Sequence, residues 1–322
     1  MVRLAEIMFR RRITTLVTVA VIATFLVYFF FNIDKFSALL HVNIFLLILI
    51  AVAYLSTIAA NGLFIKFILE PFEKFISVRE SSYVAMISSV GNFFAPIGSG
   101  FGFRAIYLKK KHGLAYSDYI ATLYGNYVIV FLINSFFALL SLYLLRDSSA
   151  RGYFTLVILF GGMFVVSLLL TIVRIPTLKR ELNVNNKHLR FVTRGLLDMA
   201  AGWNRIIKNK RLLLHLLAVT VFNFVITLLI AWLEISALHF SISFPALLLF
   251  SVLGSLSLFI NITPANLGVK EAIYLFSSAV IGLSAPQILS IALIDRGVLF
   301  AVLFCLWLYF IKFKHSSVSG GD

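Results

Sequence analysis

Charge is what this sequence has least of: 13% of its 322 residues are charged, and Asp and Glu together number 13. Hydrophobic residues make up 61%, a balance that no soluble globular domain carries. Cysteine is reduced to Cys305, in the last apolar run, which leaves no disulfide framework and no cysteine metal site. The six histidines show no metal-ligand spacing. No Walker-type phosphate loop, G-x-S-x-G, H-E-x-x-H or D-x-D motif occurs, and the carboxylates form no evident acid–base pair. Nothing therefore couples the chain to ATP hydrolysis, and no metal, cofactor or catalytic residue is expected.

What is present is apolar length. Runs at 13–33, 44–68, 119–145, 153–173, 212–232 and 286–311 each reach the ~20 residues that cross a ~30 Å hydrocarbon core. The run 13–33 is too long for a signal-peptide core and has no small-residue cleavage site behind it, so it reads as an anchor. The expected fold is all-α, a polytopic helical membrane protein of one domain. A net charge of +15 would suggest nucleic acid if the protein were soluble. Here the basic residues cluster between apolar runs, as the positive-inside bias and an anionic inner leaflet require, and no nucleic acid is expected.

Two further apolar stretches cannot be ordinary spans. In NFFAPIGSGFGFRAIYL, residues 92–108, Asn92 precedes Pro96, Gly98, Gly100 and Gly102. Proline removes a backbone donor, and each glycine weakens a helix by about 1 kcal/mol relative to alanine, so the helix breaks. In NITPANLGVKEAIYL, residues 261–275, the order recurs as Asn261, Pro264 and Gly268, and Ala-Ile-Tyr-Leu follows both Arg104 and Glu271. Broken backbone survives at membrane depth only where protein or a wet cavity satisfies it. Two such breaks at matching places in two halves point to internal repeats around a transport site. The halves are 44–173 and 212–312, joined by the linker 174–211.

The basic residues decide the topology. If 81–103 crossed the membrane, the linker 174–211, with ten Lys and Arg against Glu181 and Asp198, would lie outside. If instead 83–108 enters from the cytoplasm and turns back at 96–102, all but five of the 28 Lys and Arg are cytoplasmic or at the cytoplasmic mouth. The exceptions are Lys35, Arg146, Arg151, Lys270 and Arg296. The second hairpin, 244–282 with its turn at 263–268, then enters from outside. The expectation is six full spans, two opposed re-entrant hairpins in an inverted repeat, and both termini cytoplasmic in the cell membrane. Residues 70–80 suit a helix at the inner surface, and Leu189, Val192, Leu196, Met199, Trp203 and Ile206 form the apolar face of a basic amphipathic helix there. Glu234 and His239 fall at the outer boundary.

Ionisable groups inside a membrane are candidates for function by default. The set is Arg104, Lys270, Glu271, Asp295 and Arg296. Arg104 follows a glycine-rich turn whose free N–H groups suit an anion, and its planar fork suits phosphate; the alternative is a structural clamp with Asp295 or snorkelling to headgroups. Lys270 and Glu271 are adjacent, as are Asp295 and Arg296, so cross-pairs would neutralise or gate a path. Asn92 and Asn261 suit capping of the turns.

At these two broken stretches and at the late IALIDRG, residues 291–297, the chain resembles the lysylphosphatidylglycerol synthase transmembrane-region family, over residues 10–312. The P-x-x-x-G-V-x-E pattern from Pro264 to Glu271, with Arg296, is the most specific part. The family is similar to the flippase portion of the multiple peptide resistance factor. The resemblance implies a flippase-like protein for an anionic or isoprenoid-linked lipid with a phosphate-bearing headgroup. No aminoacyl-transferase domain accompanies it here, so lysine transfer is not expected. Tyr124-Gly-Asn126-Tyr127 stands where the family often has an acidic–arginine pair. Two other readings remain: a membrane subunit or enzyme of polyprenyl-linked glycan synthesis with a partner enzyme, and an ion-coupled solute transporter.

Overall fold

The computed structural model describes residues 26–94, 99–146, 152–172, 206–257 and 263–318, with positions 19, 23, 150, 193, 197, 203, 204, 259 and 260. Among the described residues it is all-helical, with no strands. The helices are α1 (Ile44–Leu69), α2 (Val78–Phe94), α3 (Ser99–His112), α4 (Tyr116–Leu144) and α5 (Tyr153–Ile172). They continue with α6 (Lys210–Ala237), α7 (Phe244–Ser257), α8 (Val269–Phe276), α9 (Ser278–Ile281) and α10 (Ala285–Val318). Five, α1, α4, α5, α6 and α10, are long and apolar enough to cross a membrane. Their outward faces carry exposed Ile44, Phe45, Ile48, Phe154, Ile158 and Phe222, a surface that only hydrocarbon suits. The chain is a multi-pass membrane protein. Most of the expected anchor at 13–33 and most of the linker 174–211 lie outside the described residues, as do Pro96, Gly98 and Asn261.

The bundle is organised on α1 and α6, which pack side by side. Each starts at an asparagine cap. Asn43 accepts from the N–H groups of Phe45 and Leu46, and Asn209 from that of Leu212, satisfying donors the helix itself cannot reach. They run antiparallel. The Asn43 N–H donates to the Ala237 carbonyl at 3.1 Å, joining the start of α1 to the end of α6. At the other end, Glu70 faces His215 at 3.7 Å, and the rings of Phe67 and His215 stack 4.3 Å apart.

Because α1 and α6 point in opposite directions, the short helices that follow them start from opposite ends. After α1, α2 and α3 form a helical hairpin closed among Leu69, Ile76, Leu108, Leu114 and Leu212. After α6, α7 and α8–α9 form a second one, closed among Leu233, Leu247, Ile281 and Leu283. The packing partners correspond: α2 lies on α1 as α7 lies on α6, and α10 reaches across to α2 as α4 reaches across to α7. The second turn, Pro264–Asn266, packs on α2, while Phe93 and Phe94 at the end of α2 lie 6.3 and 5.9 Å from Phe300 of α10. Phe259 sits edge-on against Tyr127 of α4 at 4.7 Å.

Three expectations change. Residues 70–80 are not one surface helix: a 3-10 turn spans Glu70–Phe72, and Glu73 then takes a left-handed φ of 55°, which ends the helix before α2. The first break is shorter than 96–102, since α3 already begins at Ser99 and contains Gly100 and Gly102. Trp203 and Ile206, assigned to a membrane-surface face, are buried in the protein. Trp203 donates its indole N–H to the Leu170 carbonyl at 2.7 Å, and Gly125 of α4 leaves room for both side chains.

Candidate functional site

In an α-helix side chains lean toward the N-terminus. On the antiparallel pair, Glu234 of α6 therefore leans into the bundle and Tyr54 of α1 leans out to meet it, with Tyr54 Oη 3.5 Å from Glu234 Oε1. The same hydroxyl donates to Asp295 Oδ1 of α10. Asp295 Oδ2 accepts from Lys270 Nζ of α8 at 2.8 Å. One residue further along both helices, Arg296 pairs with Glu271. Two adjacent residues of α8 thus meet two adjacent residues of α10 in register.

The second turn is built to hold this arrangement. Asn266 donates to the Ser257 carbonyl at 2.8 Å, and Thr263 to the Leu267 carbonyl at 2.6 Å. Ala265, Asn266 and Gly268 have φ of 51°, 56° and 83°, left-handed conformations that glycine adopts freely and the other two do not. Glu271 then does two jobs: Oε2 accepts the Gly268 N–H at 2.8 Å, capping α8, while Oε1 meets Arg296. Tyr274 stacks on Phe250 of α7 at 4.0 Å. Gly254 lets the Tyr274 hydroxyl and the Lys270 stem lie against α7.

The first hairpin is arranged differently. Its limbs touch near the tip through small residues. Ser99 Oγ donates to the Gly91 carbonyl at 2.5 Å, and Asn92 Oδ1 accepts the Gly100 N–H at 3.0 Å. Asn92 is therefore the cap expected of it. A β-carbon at Gly100 would collide with the Ser88 carbonyl and the Asn92 side chain, whereas one at Gly102 would meet nothing within 4 Å. Arg104 is 5% exposed. Its Nε lies 3.4 Å from Ser88 Oγ and its guanidinium 5.8 Å from the centre of the Phe101 ring. Tyr119 and Tyr127 of α4 are the titratable groups that feel its charge. Among the described residues no carboxylate is within ion-pair distance of it. The Tyr119 hydroxyl of α4 faces the guanidinium; further along α4, Asn126 Oδ1 is buried without a hydrogen-bond partner among the described residues.

The base of this hairpin is clasped by polar side chains. Glu80 accepts from His112 at 2.8 Å and Tyr107 at 2.8 Å and pairs with Lys111 at 2.9 Å. Partial burial would raise its pKa, but the hydrogen bonds of His112, Lys111 and Tyr107 outweigh it and hold the carboxyl down at about 2.

The predicted ionisable set is thus brought together in part. Lys270, Glu271, Asp295 and Arg296 form one cluster and Arg104 stands apart, so the clamp of Arg104 on Asp295 does not form. Arg104 also lies well inside α3 rather than at its start, so its side chain, and no free backbone N–H, faces the space beside it. Glu234 does not follow the end of the helix but lies within it, 2% exposed, because α6 continues past Trp232 to Ala237. The signal was there: apolar residues continue past Glu234 to Leu238. Tyr54 and Tyr274 carried no sequence signal, since tyrosines at helical spacing are ordinary packing. Among the described residues no group of His, Cys, Asp and Glu could hold a metal ion.

The family model described as "Lysylphosphatidylglycerol synthase TM region" matches residues 15–306. No curated protein and no solved structure matches the chain.

Proposed function

Since the chain belongs to the lysylphosphatidylglycerol synthase transmembrane-region family, whose members are membrane proteins tied to lipid handling, we propose that it moves a phosphate-bearing lipid across the bilayer. The observation that carries this reading is Arg104: a buried cation with no carboxylate in ion-pair distance among the described residues, facing the Tyr119 hydroxyl of α4. An uncompensated buried charge is costly. A phosphate would supply the missing anion, and the Tyr119 hydroxyl would donate to one of its oxygens. The headgroup would enter between the hairpins while its chains stay among exposed Phe94, Phe259 and Ile260. Lys270, Glu271, Asp295 and Arg296 would neutralise and gate the far side of the path.

In this reading the repeat halves 44–173 and 212–312 are inverted, both hairpins re-enter without crossing, and 13–33 is a sixth span. Both termini and the linker 174–211 face the cytoplasm and its anionic leaflet. With Cys305 replaced, a cysteine at Asn185 should react with an impermeant reagent only after permeabilisation, and one at Ser148 in intact cells. Labelling of Asn185 from outside would overturn the topology.

The functional test uses protein in vesicles with the lipid that copurifies, identified by native mass spectrometry. A phosphate contact in a partly dry groove is worth roughly 1.5–3 kcal/mol, so Arg104→Gln should weaken lipid binding about tenfold or more. Arg104→Lys should recover part of it. Wild-type transbilayer movement in Arg104→Gln would sink the phosphate role.

A further inference from the structure

The cluster at the second hairpin contains one more acid than it has cations. Glu234, Glu271 and Asp295 face Lys270 and Arg296, and the two cations are each taken, by Asp295 and Glu271. Glu234 is left 2% exposed with no ion pair among the described residues. The groups that act on it are Asp295 of α10, Lys270 of α8 and Tyr54 of α1. Tyr274 of α8 faces the same cluster. The packed helix α7 carries no titratable residue, and Tyr143 of α4 is exposed beneath Arg146.

Hydrogen counting sharpens the point. The Tyr54 hydroxyl has one hydrogen but touches two carboxylates, Asp295 and Glu234. If both were ionised, one buried carboxylate oxygen would face a lone pair. A proton on Glu234 completes the set: Glu234 donates to Tyr54 Oη, Tyr54 donates to Asp295, and Asp295 keeps Lys270. The five charged side chains then sum to zero.

We propose that Glu234 is a proton-binding site, and that its proton couples movement of the second hairpin to the solution beyond the end of α6. In the loaded state the chain Glu234–Tyr54–Asp295–Lys270 is closed. On unloading, the carboxyl O–H bond breaks, its electron pair stays on Glu234, and the proton leaves past Ala237, one turn away along α6. Glu234 then competes with Asp295 for the single ammonium of Lys270, drawing α8 from α10 toward α6. Reprotonation returns Lys270 to Asp295. The coupling to lipid rests on the transport reading above, but the proton site does not.

The experiment therefore has two arms. Infrared difference spectra of the wild-type protein in lipid nanodiscs, taken across pH, should show the carbonyl stretch of a protonated carboxylic acid. Glu234→Gln should abolish that band and Glu271→Gln should retain it. In vesicles, an imposed proton gradient should change the rate of lipid movement severalfold in the wild type and leave Glu234→Gln unaffected, with Glu234→Asp partly restoring the response. A band that survives Glu234→Gln would overturn the proton site. Wild-type lipid movement indifferent to the gradient would overturn the coupling and leave the transport reading standing. Absence of any lipid movement would overturn the transport reading, while the infrared arm still decides Glu234.

Discussion

The two hairpins share a sequence grammar and differ in how they treat charge. The first buries a lone cation, Arg104, against Ser88 and an aromatic ring, and joins its limbs through Gly91, Ser99 and Gly100. The second lies against α10, where two half-buried cations, Lys270 and Arg296, are both paired, and its turn is held by the side chains of Asn266, Thr263 and Glu271. Cations that are paired fix structure. A buried charge with no carboxylate beside it among the described residues is kept at a cost, and the proposed headgroup would offset it. Similar sequence at the two hairpins thus accompanies different chemistry beside each.

Substitutions should separate the two. The largest effect is expected at Arg296→Gln, which strands Glu271: breaking a buried pair costs about 3–5 kcal/mol, read as a fall in Tm of the detergent-solubilised protein. Gly100→Ala forces the first hairpin's limbs apart and should cost about 1–3 kcal/mol on the same assay. Gly102→Ala, with open space beside it, should be neutral or stabilise by up to about 1 kcal/mol. Arg104→Gln should leave Tm unchanged or raise it, since it removes a charge without stranding a partner. A drop as deep as that of Arg296→Gln would erase the distinction between the hairpins. The smallest effect is at Glu80, whose folded pKa lies below its ordinary value of 4.5. Its contribution is present above that value and is lost as pH falls through about 2. Protection of the 107–112 amides, measured relative to their intrinsic exchange rate at each pH, should therefore hold steady from neutral pH to mild acid and fall only below about pH 4. In Glu80→Gln the protection should be low throughout.

Much of the fold was legible because the bilayer limits the choices. Long apolar runs had to be helices, and Pro96 and Pro264 had to mark breaks, since no other backbone is tolerated there. The pairing of Lys270 and Glu271 with Asp295 and Arg296 was legible as a set but not as a register, which depends on how α8 is rotated against α10. The place of Glu234 was hidden by a boundary error of a few residues, the least certain part of any helix assignment. Arg104 was found by its type and neighbours. Its isolation was not, because the absence of a carboxylate is a fact about tertiary packing.

Helix α10 gives the two charge sites a common shaft. Asp295 and Arg296 lie on it beside the second hairpin, and Phe300, one turn along, lies against Phe93 and Phe94 at the end of the first hairpin's α2. A headgroup bound as proposed, if it shifted that limb, would push on the same rod that holds Asp295 to Lys270. If occupancy at Arg104 alters how tightly Glu234 holds its proton, thermodynamic reciprocity requires the proton to alter the affinity for the headgroup by the same factor. Lipid affinity measured across pH and proton affinity measured across lipid concentration would then be one number read from two ends of a single helix.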